Sequence, residues 1–373
     1  DLAVSAAFDP IGFAAFEAEF LAALDGWRGL SCVGVQLGAL DGELRFAATA
    51  YHEADRLVVS LHDALLGGVN AIPALAAASA VLLRTGDPMR AAQVLLAHDP
   101  ELADTLITAL GLPGLLRAIG SAVPDGYGIA RSYGIDRTGP AGRPPRRLRD
   151  LFADLAQRDG DARHGEIDVR ILSMPRGSRR VIVDITGTKS WDPLPTADVT
   201  SLTTNARALV GERSAYEGGV LAAMRAAGVR RDDPVMLVGH SQGGMVAVTT
   251  ARDAMASGEF NITHVVTAGA PIGMTVGSVP RATKVLALEN TRDVVPHLDG
   301  VANPDRANVT TASAARGNST VGGDHHLNPA YFAIARDVEA SGNPSVRDFL
   351  SSADGYFRAS RIETHAYQIQ RRY

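Results

Sequence analysis

Sulfur and aromatic rings are scarce in this chain. Of 373 residues, one is cysteine (Cys32), two are tryptophan, and aromatics make up 5%. A lone cysteine excludes an internal disulfide framework and a cysteine-based zinc cluster. Positive charge is not in surplus either. The formal net charge is −5, and no Lys/Arg stripe with interleaved aromatics appears, so a nucleic-acid binder is not expected. The one basic cluster, "GRPPRRLR" at Gly142–Arg149, reads as a solvated linker. Long apolar runs are nearly absent. Ala64–Leu83 has the length of a membrane span, but Asn70, Pro73 and two glycines interrupt it. It reads as a buried helix pair or a surface that touches a membrane. No basic stretch leading into an apolar one marks a signal peptide.

What is present suits a globular protein: 46% apolar and 21% charged residues, enough for a sizeable core, at a length that favours two domains. Residues 1–122 are Ala/Leu-rich. Phe13, Phe16, Phe20, Leu21 and Leu24 follow helical spacing, and strand signals are almost missing before residue 125, so an all-helical N-terminal domain is expected. Residues 123–148, rich in Gly, Pro and Arg, read as a linker. From 149 to 373 apolar strands alternate with helices: strands at Val181–Ile185, Val235–Val238, Val265–Thr267 and Val285–Leu288, helices at Thr203–Ala227, Met245–Met255 and Pro329–Glu339. That alternation predicts an α/β domain, a mostly parallel sheet flanked by helices. The alternating "SRIETHAYQIQRRY" at the end reads as an edge strand.

Within this pattern "DPVMLVGHSQGGMVAV" runs from an apolar strand through Gly-x-Ser-x-Gly into a helix. With 38 glycines in the chain the pentapeptide alone is a weak signal, and the bland alternative is a turn whose serine only caps the helix. Its strand–turn–helix context points instead to a nucleophile held on a tight corner, Ser241. A serine hydroxyl needs a base, and the base needs an acid to hold its tautomer. Both follow in the order Ser, Asp, His. Asp293 lies in "NTRDVVPHLDG" just past a predicted strand, and His325 and His326 lie in "GGDHHLNPAYF" before a predicted helix. Of the two histidines, His326 is favoured and His325 is the alternate. His240, beside Ser241, reads as a packing residue. An Asp-His-His metal site has no matching ligands elsewhere, so no metal is expected.

Four segments, "VDITGTKSW", "VGHSQGG", "VTAGAPIG" and "LENTRDVVPHL", resemble the class 3 (fungal-type) lipases of the α/β-hydrolase superfamily, in the family's order. The resemblance implies Ser241 as nucleophile, Asp293 as acid, and one histidine of the 325/326 pair as base. It also implies an oxyanion hole at Thr188, completed by the backbone N–H of Gln242, and no cofactor. Thr186 stands where the family usually carries Arg. The segment Lys189–Ser201 is where the family carries a lid, so Trp191 and Leu194 are expected to face lipid.

In the first third, Trp27 and Gly29 in "LDGWRGL", with Tyr51 and Asp55 in a Tyr-x-x-x-Asp pattern, resemble the Trp-x-Gly helical hairpins exported by type VII secretion. Four residues apart on a helix, Tyr51 and Asp55 share one face. This resemblance implies a secretion-machinery partner and a secreted or cell-envelope location, the cytoplasm being the alternative. The expected activity is hydrolysis of acyl esters by a serine esterase, lipase or phospholipase. A thioesterase is the enzymatic alternative, and a non-catalytic secreted helical binding module with a degenerate hydrolase scaffold the non-enzymatic one.

Overall fold

The computed structural model describes residues 124–373 apart from 161–162, 176, 191–195 and 318–320, together with Ala80 and Arg84. The expected helical domain over 1–122, with Trp27, Gly29, Tyr51 and Asp55, lies outside the described residues, as do Trp191 and Leu194.

Val235, Met236, Leu237 and Val238 are all fully buried. A strand apolar on both faces must be covered on both faces. Eight strands meet that need in one sheet: β1 (Tyr127–Asp136), β2 (Glu166–Ser173), β3 (Arg179–Ile185), β4 (Pro234–His240), β5 (Asn261–Ala268), β6 (Lys284–Asn290), β7 (Val309–Ala314) and β8 (Arg361–Arg372). Their order across the sheet is β1-β8-β2-β3-β4-β5-β6-β7. From β3 to β7 neighbours run parallel; β1, β8, β2 and β3 pair antiparallel. The helices are α1 (Leu148–Gly160), α2 (Leu202–Leu209), α3 (Ala215–Ala226), α4 (Gln242–Ser257), α5 (Gly273–Val276), α6 (Val321–His325), α7 (Phe332–Glu339) and α8 (Pro344–Ala353).

Residue alternation divides the core. Val235 and Leu237 pack with Val220, Met224, Val246 and Ala251 of α3 and α4. Met236 and Val238 pack with Leu151, Leu155, Ile334 and Phe349 of α1, α7 and α8. Each such apolar side chain contributes about 1.5–3 kcal/mol on burial. The arrangement is the expected mostly parallel sheet between helical layers.

Four details differ from the sequence reading. The segment expected as a linker holds β1, whose exposed, Gly-containing pattern hid it. Because β1 covers it, β8 is an interior strand and not an edge. The helix expected over 203–227 is two, parted where Gly211 takes φ +74°. Strand β7 ("VTTASA"), too weakly apolar to stand out, was not foreseen. Among the described residues no helix is long and apolar enough to cross a membrane.

Candidate active site

In an open α/β sheet, ligands meet the carboxyl ends of the parallel strands. The candidate residues sit there: Thr188 past β3, Ser241 past β4, Asp293 past β6. Ser241 takes φ 53°, ψ −124°, and is the one non-glycine residue with positive φ among those described. Such a conformation costs about 1–3 kcal/mol. The chain tolerates it because its flanks carry no side chains. A Cβ at Gly239 would lie 2.2 Å from the Gly243 carbonyl oxygen, and one at Gly243 would lie 2.0 Å from that of Ile185. The Ser241 N–H is tied to the Ala268 carbonyl at 2.9 Å, at the end of β5. The serine side chain caps no N–H of α4, so the bland capping alternative does not hold. Its hydroxyl has no hydrogen-bond partner among the described residues.

Asp293 is 1% exposed and accepts three hydrogen bonds. The Val295 N–H donates to Oδ1 at 3.0 Å; His325 Nδ1 and the Tyr331 hydroxyl each reach Oδ2 at 2.7 Å. Facing a carboxylate, His325 Nδ1 must carry the proton, which leaves Nε2 as a base. Burial first, then the Asp293 charge, pushes the Tyr331 hydroxyl well above its ordinary pKa, so it stays a donor. Gly269 takes φ +60°, and a Cβ there would come within 2.8 Å of the Tyr331 hydroxyl oxygen and 3.1 Å of Asp293 Oδ2. That explains a glycine in "VTAGAPIG". Asn290, at the end of β6, donates to the carbonyls of Arg316 (2.8 Å) and Asp324 (2.7 Å), clamping the histidine loop.

The ring that meets Asp293 therefore belongs to His325, whereas the sequence reading favoured His326. His325 closes α6, while His326 turns extended (φ −65°, ψ 143°) and is exposed.

On the other side of Ser241, Thr188 and Gln242 converge on a residue that sequence reasoning missed. Gln242 Nε2 donates to Asn205 Oδ1 at 2.8 Å, and Asn205 Nδ2 donates to Thr188 Oγ1 at 3.0 Å. The Thr188 hydroxyl in turn reaches Asn205 Oδ1 at 3.2 Å, so Asn205 fixes the Thr188 side chain. Gln242 begins the 16-residue α4, whose first N–H groups have no intrahelical partner and carry the positive end of the helix dipole. Thr186 donates to the Glu166 carbonyl at 2.8 Å and meets the Tyr216 hydroxyl at 3.0 Å.

Tyr331, Asn205 and Asn290 carried no sequence signal beyond Tyr331's place after the histidines, because each acts through a contact across the fold. Among the described residues no group of three or more His, Cys, Asp or Glu could hold a metal ion.

A family model described as Lipase (class 3) matches residues 204–302. The match spans Asn205, Ser241, Gln242 and Asp293 and ends before His325. No curated protein and no solved structure matches the chain.

Proposed function

We propose that this lipase-like α/β-hydrolase cleaves carboxylic esters through Ser241, His325 and Asp293. The observation that carries the reading is the buried Asp293 carboxylate seated 2.7 Å from His325 Nδ1, on loops at the same sheet end as the strained Ser241 corner. His325 Nε2 takes the proton of Ser241 Oγ as that oxygen attacks the acyl carbon. The carbonyl oxygen becomes an oxyanion held by the Gln242 N–H, a backbone donor that need not reorganise, and by the Thr188 hydroxyl, which turns to it from Asn205 Oδ1. His325 then passes its proton to the departing alkoxide. Water, deprotonated by the same nitrogen, attacks the acyl-serine, and the acid leaves as Ser241 regains its proton. The free Ser241 hydroxyl fits a resting state, since catalytic hydrogen bonds often tighten only with substrate bound.

Lipid acyl esters, phospholipids and glycerides among them, are the substrate class; thioesters come second. In this reading Trp191 and Leu194 contact lipid, and Trp27, Gly29, Tyr51 and Asp55 serve as a secretion signal. The test is hydrolysis of p-nitrophenyl esters of rising chain length and of phospholipid vesicles. S241A lowers kcat by at least about 10⁴-fold on every substrate cleaved. S241A as active as wild type would rule out Ser241 as the nucleophile, and no hydrolysis of any of these substrates by wild type would leave the non-catalytic module as the reading.

A further inference from the structure

His240 has two ring nitrogens and two partners, and both partners are acceptors. Nδ1 lies 2.7 Å from Asp159 Oδ2; Nε2 lies 3.0 Å from the backbone carbonyl oxygen of His325. A neutral imidazole owns one N–H and satisfies one of them; an imidazolium satisfies both. The residue is 6% exposed, and its ring sits 4.7 Å from that of His325 and 6.2 Å, edge on, from that of Tyr331.

Asp159, near the end of α1, is itself fixed. Its Oδ1 accepts the Gly187 N–H at 2.9 Å. Lys189 Nζ donates to the Asp159 main-chain carbonyl and reaches that of Arg158 at 3.4 Å, which holds the end of α1. One carboxylate thus ties the Gly187–Thr188 strand end to the nucleophile corner, and the imidazole beyond it ties that corner to the base loop. The charged and titratable groups facing the His240 ring are Asp159 and Lys189 on one side, and Asp293, His325 and Tyr331 on the other. Burial alone would lower the His240 pKa; the hydrogen bond and charge of Asp159, the His325 carbonyl and the Asp293 charge outweigh it and raise it. Burial would raise the Asp159 carboxyl; His240, the Gly187 N–H and Lys189 outweigh that and lower it.

We infer that His240 and Asp159 are positioning residues: a buried imidazolium and a half-buried carboxylate form a strap that pins the loop carrying the base against the nucleophile corner. The inference rests on the reading of His325 as base. When His240 loses a proton, the carboxylate keeps the remaining one on Nδ1. The Nε2 lone pair then faces the His325 carbonyl, and the strap lets go. The alkaline side of the activity profile therefore belongs to a residue that never touches substrate.

The experiment is kcat and KM against pH on a soluble p-nitrophenyl ester for wild type, H240Q, H240N and D159N, each checked for folding by circular dichroism. In H240Q the amide nitrogen replaces Nε2 as a donor that does not titrate, so the alkaline fall of kcat seen in wild type disappears. In D159N the fall moves to lower pH. H240N keeps the Asp159 contact but loses the His325 carbonyl, and kcat drops about tenfold at every pH with KM little changed. Wild-type kcat and pH profile in all three variants would overturn the strap. A second measurement works without a foldable His240 variant: in ¹⁵N-histidine-labelled wild type, the ring whose signal moves in D159N should keep both nitrogens protonated well above the ordinary histidine value of about 6.5. A neutral ring there contradicts the inference. Full activity in S241A and H325A would instead defeat the ester-hydrolase reading, and the ring's protonation would still decide the strap.

Discussion

Helix α1 joins two charge clusters that are built differently. Asp159 faces the candidate active site, where each carboxylate meets directional donors: Asp293 accepts from His325, Tyr331 and Val295, and Asp159 from His240 and Gly187. One residue earlier, Arg158 turns the other way. It donates to Asp168 Oδ2 at 2.7 Å and also pairs with Asp136; Arg170 donates to Asp184 Oδ2 at 3.2 Å. Asp154, Asp168 and Asp184 are fully buried, and Asp168 stands directly across the β2–β3 ladder from Asp184. These three carboxyls, with Asp136 as a fourth on Arg158, thus share two guanidiniums. As carboxylates, both Asp154 oxygens and one each of Asp168 and Asp184 would lack a hydrogen-bond partner among the described residues. A proton held on Asp168 or Asp184 supplies a donor that eases that defect. Burial first, then the neighbouring Asp154, pushes Asp168 and Asp184 upward against the pull of the arginines. The comparison separates two uses of buried charge: the site fixes geometry with a matched set of partners, and the cluster beneath β2 and β3 absorbs its mismatch by holding protons.

The widest gap between the two ends should open with D293N. It leaves the fold intact but gives His325 a partner that favours the wrong tautomer, and kcat falls by about 10⁴-fold in ester hydrolysis. Removal of the Tyr331 hydroxyl in Y331F takes one of three bonds from Asp293. Kinetics should show kcat lowered by about tenfold, the equivalent of one buried hydrogen bond to a charge. H326A, at the exposed neighbour, keeps wild-type kcat.

The carboxyl-rich end answers in stability. Because Asp168 and Asp184 titrate above the ordinary carboxylate value of about 3.9, the folded chain binds more protons than the unfolded one just above that value. Stability from this cluster is therefore greatest in acid and is lost as pH rises through the raised folded values. The strap has the opposite carboxyl term. Asp159, lowered, contributes above its ordinary value and loses that contribution as pH falls through its depressed one, while His240, raised, contributes at lower pH until its own folded value is passed. D154N removes the extra carboxyl and supplies an amide donor. Thermal melts across neutral and mildly alkaline pH should show a shallower decline, with Tm a few degrees above wild type. An unchanged slope would mean the cluster holds no extra proton.

The part of this molecule legible in sequence is the part set locally. Gly239 and Gly243 announce the corner because backbone crosses within about 2 Å of where their Cβ atoms would stand. The continuous apolar runs of β4 and β6 announce a sheet covered on both faces. What escaped was set by distant partners. His325 and His326 are indistinguishable by type and loop position, and only the end of α6 decides which ring reaches Asp293. His240 read as packing because the partner that charges it, Asp159, lies 81 positions earlier in the chain. Strand β8 was legible as a strand, but its place inside the sheet depends on β1, written in residues that read as linker.

The central claim is a Ser241 hydroxyl activated by His325. Treat wild type, S241A, H325A and H326A with a fluorophosphonate and locate the adduct by peptide mass spectrometry. The account predicts a phosphonylated Ser241 in wild type and H326A, none in S241A, and labelling slowed to near background in H325A. An adduct that persists in S241A, or labelling lost in H326A and kept in H325A, would contradict it.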